Sequence, residues 1–188
     1  RPPETSGALA TPPLSDIAGI SRELVDSMSD IVWAINPEHD RMGNLVHRMR
    51  RFATDVLGGQ GIEMRFVSSV ADEDIKIGAD VRRQIYLIFK ESIHNIVRHS
   101  RARNVEVSLD GAGGGVTLRV ADDGRGFDCA AEHEGHGLRS IRRRAAAMGG
   151  SVEVVSSAGR GTTVTATARL ERTRPLSMLR VTRNGLFR

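Results

Sequence analysis

The chain has 188 residues, 39% hydrophobic and 27% charged, a balance that suits a soluble globular domain with one good core. Its formal net charge is +4, but residues 171–188 hold five arginines and one glutamate, and the rest carries 22 basic and 22 acidic side chains. The body is therefore neutral, and no nucleic-acid partner is expected. No apolar run approaches a membrane span and nothing near the start resembles a signal peptide. The lone Cys129 excludes an internal disulfide and a cysteine zinc cluster. A cytoplasmic stretch is expected, with any membrane anchor in other parts of a parent chain.

Residues 1–13, rich in Pro, Thr and Ser, read as a disordered lead-in. Over 14–36, Ile17, Leu24 and Ile31 recur every seven residues, a seam suited to helix pairing. Asn36-Pro37 ends it, because proline disfavours helix for the residue before it. A second helix is predicted from about Arg41 to Leu57, with Met42, Leu45, Met49, Phe52 and Val56 on one face and Gly58-Gly59 closing it. Ile62, Met64 and Phe66 alternate as a strand does. A third helix spans about Asp80 to Ser100, with Val81, Ile85, Ile88, Phe89 and Ile96 inward. Two strands follow, around Val105–Leu109 and Val116–Val120, joined by a turn at Gly111–Gly115. A polar loop covers 122–137, a fourth helix about Leu138 to Met148, and two last strands carry Val152, Val154 and then Val164 to Leu170. From Arg41 the order is αβαββαββ, which predicts a mixed five-stranded sheet with three helices on one face, a two-layer α/β sandwich.

Four short stretches carry chemistry. Glu91 and Asn95 stand at i and i+4, and Arg98 and His99 follow one turn later on the same side. An amide oxygen at Asn95 can bind Mg²⁺ without adding charge against a triphosphate. Glu91 can hold a metal-bound water or accept a proton, and Arg98 and His99 can reach phosphate oxygens. Alone, the pair reads as an ordinary polar helix flank. Asp122 ends a strand, where its carboxylate can accept a hydrogen bond from the adenine amine and repel the guanine carbonyl. Gly124 and Gly126 let the backbone approach a flat base, although an Asp-Gly turn alone needs no ligand. Gly135 and Gly137 precede a helix whose first N–H groups attract phosphate, or they form a plain flexible loop. Gly159-Arg160-Gly161-Thr162 is a hairpin turn by itself; beside the others it brings a Thr162 hydroxyl near Asp122.

In this order, Glu91…Asn95, Asp122-x-Gly124-x-Gly126, Gly135-x-Gly137-Leu138 and Gly159-x-Gly161-Thr162 resemble the N box and glycine boxes of the GHKL (Bergerat-fold) ATP-binding domains. The continuation Asn95-Ile96-Val97-Arg98-His99-Ser100 is similar to two-component sensor histidine kinases, and to the subgroup that pairs with helix-turn-helix response regulators. The resemblance implies ATP and Mg²⁺ as cofactors. Asn95 is then the metal ligand and Glu91 the residue that assists phosphoryl transfer. Arg98, His99, Asp122, Gly124, Gly126, Gly135, His136, Gly137, Leu138, Gly161 and Thr162 are then the nucleotide contacts. It also implies that 14–36 is the second helix of a truncated dimerisation domain, that 41–170 is the catalytic domain and that 171–188 is a basic tail. A response regulator and a second copy of the parent chain follow as partners. A serine-kinase anti-sigma switch and a non-catalytic scaffold of the same fold are the alternatives.

One element of such a kinase is missing. His39-Asp40-Arg41-Met42-Gly43 matches the His-Asp-x-x-Gly pattern of the phosphoacceptor helix. However, the pairing helix precedes His39 rather than following it, and only one helix fits before the strand at Ile62. The acceptor histidine is therefore expected upstream of Arg1.

Overall fold

The computed structural model describes residues 28–29, 32–33, 36, 40–70, 75–112, 114–128 and 135–170. The lead-in, most of the pairing helix, His39, the centre of the loop before the fourth helix and the basic tail lie outside the described residues. The folded body is α1 (Met42–Gly58), β1 (Glu63–Ser68), α2 (Ala79–Asn95), β2 (Asn104–Ala112), β3 (Gly115–Asp122), α3 (His136–Ala147), β4 (Ser151–Ser156) and β5 (Thr162–Arg169). This is the expected order.

Five strands form one sheet in the order β1-β2-β3-β5-β4. The β1–β2 pair is parallel and the other three are antiparallel, so the sheet is mixed as predicted. Val105, Val107 and Leu109 on β2 and Val116, Leu118 and Val120 on β3 are all buried. Their period of two turns one sheet face toward the helices. Across that face α1 lies beside β1, α2 over β3 and β5, and α3 over β4 and β5. The buried stripe of α1 is wider than the predicted one, because Val46, Ala53 and Leu57 join Met42, Leu45 and Met49 at full burial.

Three local details differ from the sequence reading. The hairpin turn is tighter than Gly111–Gly115: Gly111 pairs with Val116 and Ala112 with Gly115 inside the ladder. Glycine stands at 111 because a Cβ there would sit 2.5 Å from the Val70 side chain, so packing rather than turning explains it. The fourth helix begins at His136, which puts Gly137 in its first turn and leaves Gly135 as its N-cap. The third helix is not uniform: α-geometry ends at Asn95, and Ile96–Ser100 form a π-turn that closes on Arg101 in the left-handed region, φ 56°. Such single wide turns cluster at functional sites.

Candidate functional site

The C-terminal half of α2 and its π-turn form one wall of a cleft of about 720 Å³, a volume suited to a small ligand. The end of β3 and the loop after it form a second wall, and the start of α3 a third. Glu91, Asn95, Arg98, His99, Asp122, Gly126, Gly135, His136, Gly137, Leu138 and Thr162 all line it, so the structure gathers residues spread over 72 positions of sequence into one space. Gly124 and Gly161 do not line it. They lie behind Asp122, where a Cβ on Gly124 would meet its Oδ1 at 2.7 Å and one on Gly161 its main-chain oxygen at 1.9 Å. Gly161 also has φ 70°, so a side chain there would be strained as well as crowded.

Glu91 and Asn95 share the face of α2 that meets α3. A Cβ on Gly137 would stand 2.5 Å from Glu91 Oε1 and 3.3 Å from Asn95 Oδ1. The missing side chain thus leaves the space where both polar heads sit. Neither head has a hydrogen-bond partner among the described residues. An uncharged oxygen and a carboxylate side by side, open to a cleft, fit a hard cation that takes its remaining ligands from phosphate and water. The α3 N-terminus faces the same space, with Gly135 extended at φ −61° and ψ 162°. Its first N–H groups and positive dipole end favour an anion there. His136 is exposed, with Nδ1 3.3 Å from the Arg139 guanidinium.

Asp122 is the last residue of β3 and is half-buried. Burial raises its pKa above the ordinary aspartate value; the N–H groups of Gly124 and Thr162 act the other way, and the neighbouring Asp123 adds to the rise. The Gly124 N–H donates to Asp122 Oδ1 at 2.8 Å. That fixes the carboxylate plane and points it into the cleft. Thr162 stands opposite Asp122 in the β3–β5 register, and its hydroxyl pairs with Ser156 Oγ at 3.0 Å. Asp123 turns away and holds the Arg103 and Asn104 main-chain N–H groups and the Asn104 amide at 2.8–2.9 Å. Those bonds, the Asn104 ones foremost, lower its pKa.

Sequence reasoning missed the floor. Ile96, Val120 and Val164 line the cleft, with Phe127 and Arg125 at its edge. The alternation that marks Val120 and Val164 as core residues conceals that, at the end of the sheet, the core surface continues as the floor of the cleft. His94, between Glu91 and Asn95 in sequence, packs edge-on against Phe52 at 5.6 Å and does not line the cleft. A shallower depression on the open sheet face is lined by Glu63, Arg65, Glu106, Arg119 and Asp123. There Glu106 pairs with Arg65 and Arg119, so its charges satisfy each other.

Residues 80–172 match the family of histidine kinase-, DNA gyrase B- and HSP90-like ATPases. The matched span starts at the beginning of α2, so α1 and β1 are further parts of the same sheet and core. A curated relative is the sensor histidine kinase LiaS of Bacillus subtilis, 34% identical over 93 residues that cover 49% of this chain and 26% of the relative. The chain thus spans about a quarter of LiaS. Among solved structures, the Acinetobacter baumannii histidine kinase AdeS is similar with a TM-score of 0.59 and 16% identity, over 85% of this chain and 83% of that one. The full-length ShkA structure in complex with AMPPNP gives a TM-score of 0.55 and 26% identity, over 69% and 30%. The matched residues include every stretch that lines the cleft, from Glu91 to Val164. Among the described residues no helix is long and apolar enough to cross a membrane.

Proposed function

We propose that the cleft binds Mg²⁺-ATP and presents its γ-phosphate to a histidine supplied from elsewhere in the parent protein. The convergence of Glu91, Asn95 and Asp122 on one cleft, with Gly137 packed on the first two, carries this reading. ShkA, whose structure is a complex with AMPPNP, has a similar fold over the shared part, which supports a nucleotide as the ligand.

Asp122 accepts the adenine amine through the carboxylate that Gly124 holds. Guanine, which presents a carbonyl there, is rejected because a half-buried carboxylate facing an oxygen is costly. Val120, Val164 and Ile96 offer the base an apolar floor. The α3 N-terminus, Arg98 and His99 face the phosphates. Asn95 would hold Mg²⁺ through its amide oxygen, and the cation would supply charge neutralisation at the phosphates. Glu91 stands beside it, placed to take a proton from the attacking group. Most of the rate enhancement comes from orientation and charge neutralisation, as phosphoryl transfer requires.

In this reading 14–36 is the end of a dimerisation stalk, the parent acts as a homodimer, and phosphate passes onward to a response regulator. Any membrane anchor belongs to the parent chain. Incubation with γ-labelled ATP tests the assignment. The 188-residue chain is expected to bind ATP without self-labelling and to label an added dimerisation segment that carries a His-Asp-x-x-Gly helix. Acid-labile phosphate on His39 would place the acceptor in this chain instead, and labelling of serine on a partner would move the protein to the anti-sigma class.

A further inference from the structure

We propose that Ser100 is a positioning residue that couples the two halves of the cleft, the metal side at Asn95 and the base side at Asp122. The inference rests on the nucleotide reading above and adds a residue to it.

Ser100 ends the π-turn and is 7% exposed. Its hydroxyl makes two bonds. It donates to the Ile96 carbonyl at 2.8 Å and accepts from the Ala102 N–H at 3.0 Å. Ile96 and Ala102 are themselves buried, so without that oxygen both main-chain groups would lose a partner where water cannot replace it. The hydroxyl thereby holds the wide turn closed on itself and onto the residue after Arg101, whose left-handed φ of 56° turns the chain away.

The Ser100 main chain then reaches the other side. Its carbonyl accepts the Arg125 N–H at 2.7 Å, and its atoms press on Gly124, where a Cβ would lie 2.4 Å from the Ser100 oxygen and 2.7 Å from its Cβ. Gly124 in turn holds Asp122 Oδ1. Contact is therefore continuous from Asn95 through the π-turn and Ser100 to Gly124 and the carboxylate. An ordinary α-turn over 96–100 would shift this carbonyl, because the π-turn carries an extra residue. The aim of Asp122 at a base thus depends on a hydroxyl in the cleft wall whose two hydrogen bonds are both to main-chain groups.

A residue that merely stabilises the fold would lower stability and leave base selectivity alone. Ser68 supplies the matched control: its hydroxyl also donates to a carbonyl, that of Leu109 at 2.9 Å, and accepts an N–H two residues on, that of Val70 at 3.2 Å, far from the cleft. Calorimetric titration of the full 188-residue chain with Mg²⁺-ATP and Mg²⁺-GTP provides the test, with circular dichroism confirming that each variant folds. The Ser100→Ala protein is expected to lose about tenfold in the ratio of ATP to GTP affinity. Ser100→Thr, which keeps the oxygen, and Ser68→Ala are expected to hold the wild-type ratio. An unchanged ratio in folded Ser100→Ala, or an equal loss in Ser100→Thr, overturns the proposal. If Ser100→Ala does not fold, Ser100→Cys takes its place: it is similar in size and a far weaker hydrogen-bond partner, so the same loss of ratio is expected and an unchanged ratio overturns the proposal. A wild-type chain that binds neither nucleotide overturns the ATP reading itself, and the inference falls with it.

Discussion

The two ends of α2 place polar groups under opposite regimes. At the N-terminal end Arg82 is fully buried. Its guanidinium pairs with Asp40 and donates to the Asn36 carbonyl at 3.1 Å. It also lies 5.2 Å from the Trp33 ring, over which Arg48 stacks at 4.6 Å and beside which Tyr86 stands at 5.6 Å. At the C-terminal end Glu91 and Asn95 have no hydrogen-bond partner among the described residues and face a cleft of about 720 Å³. A buried charge surrounded by partners is architecture, here tying the segment before α1 to the domain. Polar groups that converge on open space without partners are ligand-binding chemistry, because their hydrogen-bonding capacity is left for something else to meet.

The comparison can be broken most forcefully at Asp40. Asp40→Ala removes the counter-charge of a buried cation and is expected to lower the free energy of unfolding by about 3 kcal/mol. Urea denaturation measures it, and the folded variant should bind ATP as wild type does. A loss below about 1 kcal/mol would reduce the arginine end to a surface ion pair.

At the other end the effect should fall on binding. In Asp122→Asn the amide oxygen keeps the Gly124 N–H, which leaves an NH₂ facing the adenine amine. ATP affinity is expected to fall by about 2 kcal/mol, or some thirtyfold, by calorimetry. The same residue sets a pH signature. Because its folded pKa is raised, Asp122 contributes to stability below its unfolded pKa. That contribution is lost as pH rises from the unfolded value through the folded one. Without nucleotide, Asp122→Asn should therefore lack this decline with pH. ATP binding needs the ionised carboxylate, so affinity should weaken on acidification through the raised folded pKa in wild type and not in the variant.

Gly137→Ala sharpens the division within the cleft. Its methyl group would displace the Glu91 carboxylate, the movable end of a flexible side chain. Phosphoryl transfer to an added histidine-bearing segment is expected to slow about tenfold, with ATP affinity changed far less. Ser156→Ala is the mildest change. Its hydroxyl accepts the Phe127 N–H at 2.9 Å and meets the Gly161 carbonyl and the Thr162 hydroxyl, each at 3.0 Å. Losing it should cost about 1 kcal/mol in thermal or urea unfolding, with a few-fold loss in ATP affinity.

The αβαββαββ order was readable because the apolar residues of each element repeat with the period of their backbone, as in Val105-Val107-Leu109 and Met42-Leu45-Met49. The cleft was readable because its chemistry sits in short stretches whose residue types suit phosphate, metal and base. What stayed hidden depends on contacts remote in sequence. Nothing near Arg82 signals full burial, since its partners Asp40 and Asn36 lie more than 40 positions away. Gly111 has the look of a turn residue in sequence, whereas its constraint is the Val70 side chain packed on it from 41 positions away. The π-turn at Ile96–Ser100 follows a continuous helical pattern, and nothing in that pattern signals its bonds to Ala102 and Arg125.

Calorimetric titration of the 188-residue chain with Mg²⁺-ATP and with Mg²⁺-GTP tests most directly whether the cleft is an adenine-nucleotide site. Saturable binding of ATP, with GTP at least tenfold weaker and the preference lost in Asp122→Asn, is the predicted result. Equal affinities for the two nucleotides, or no binding of either, would contradict it.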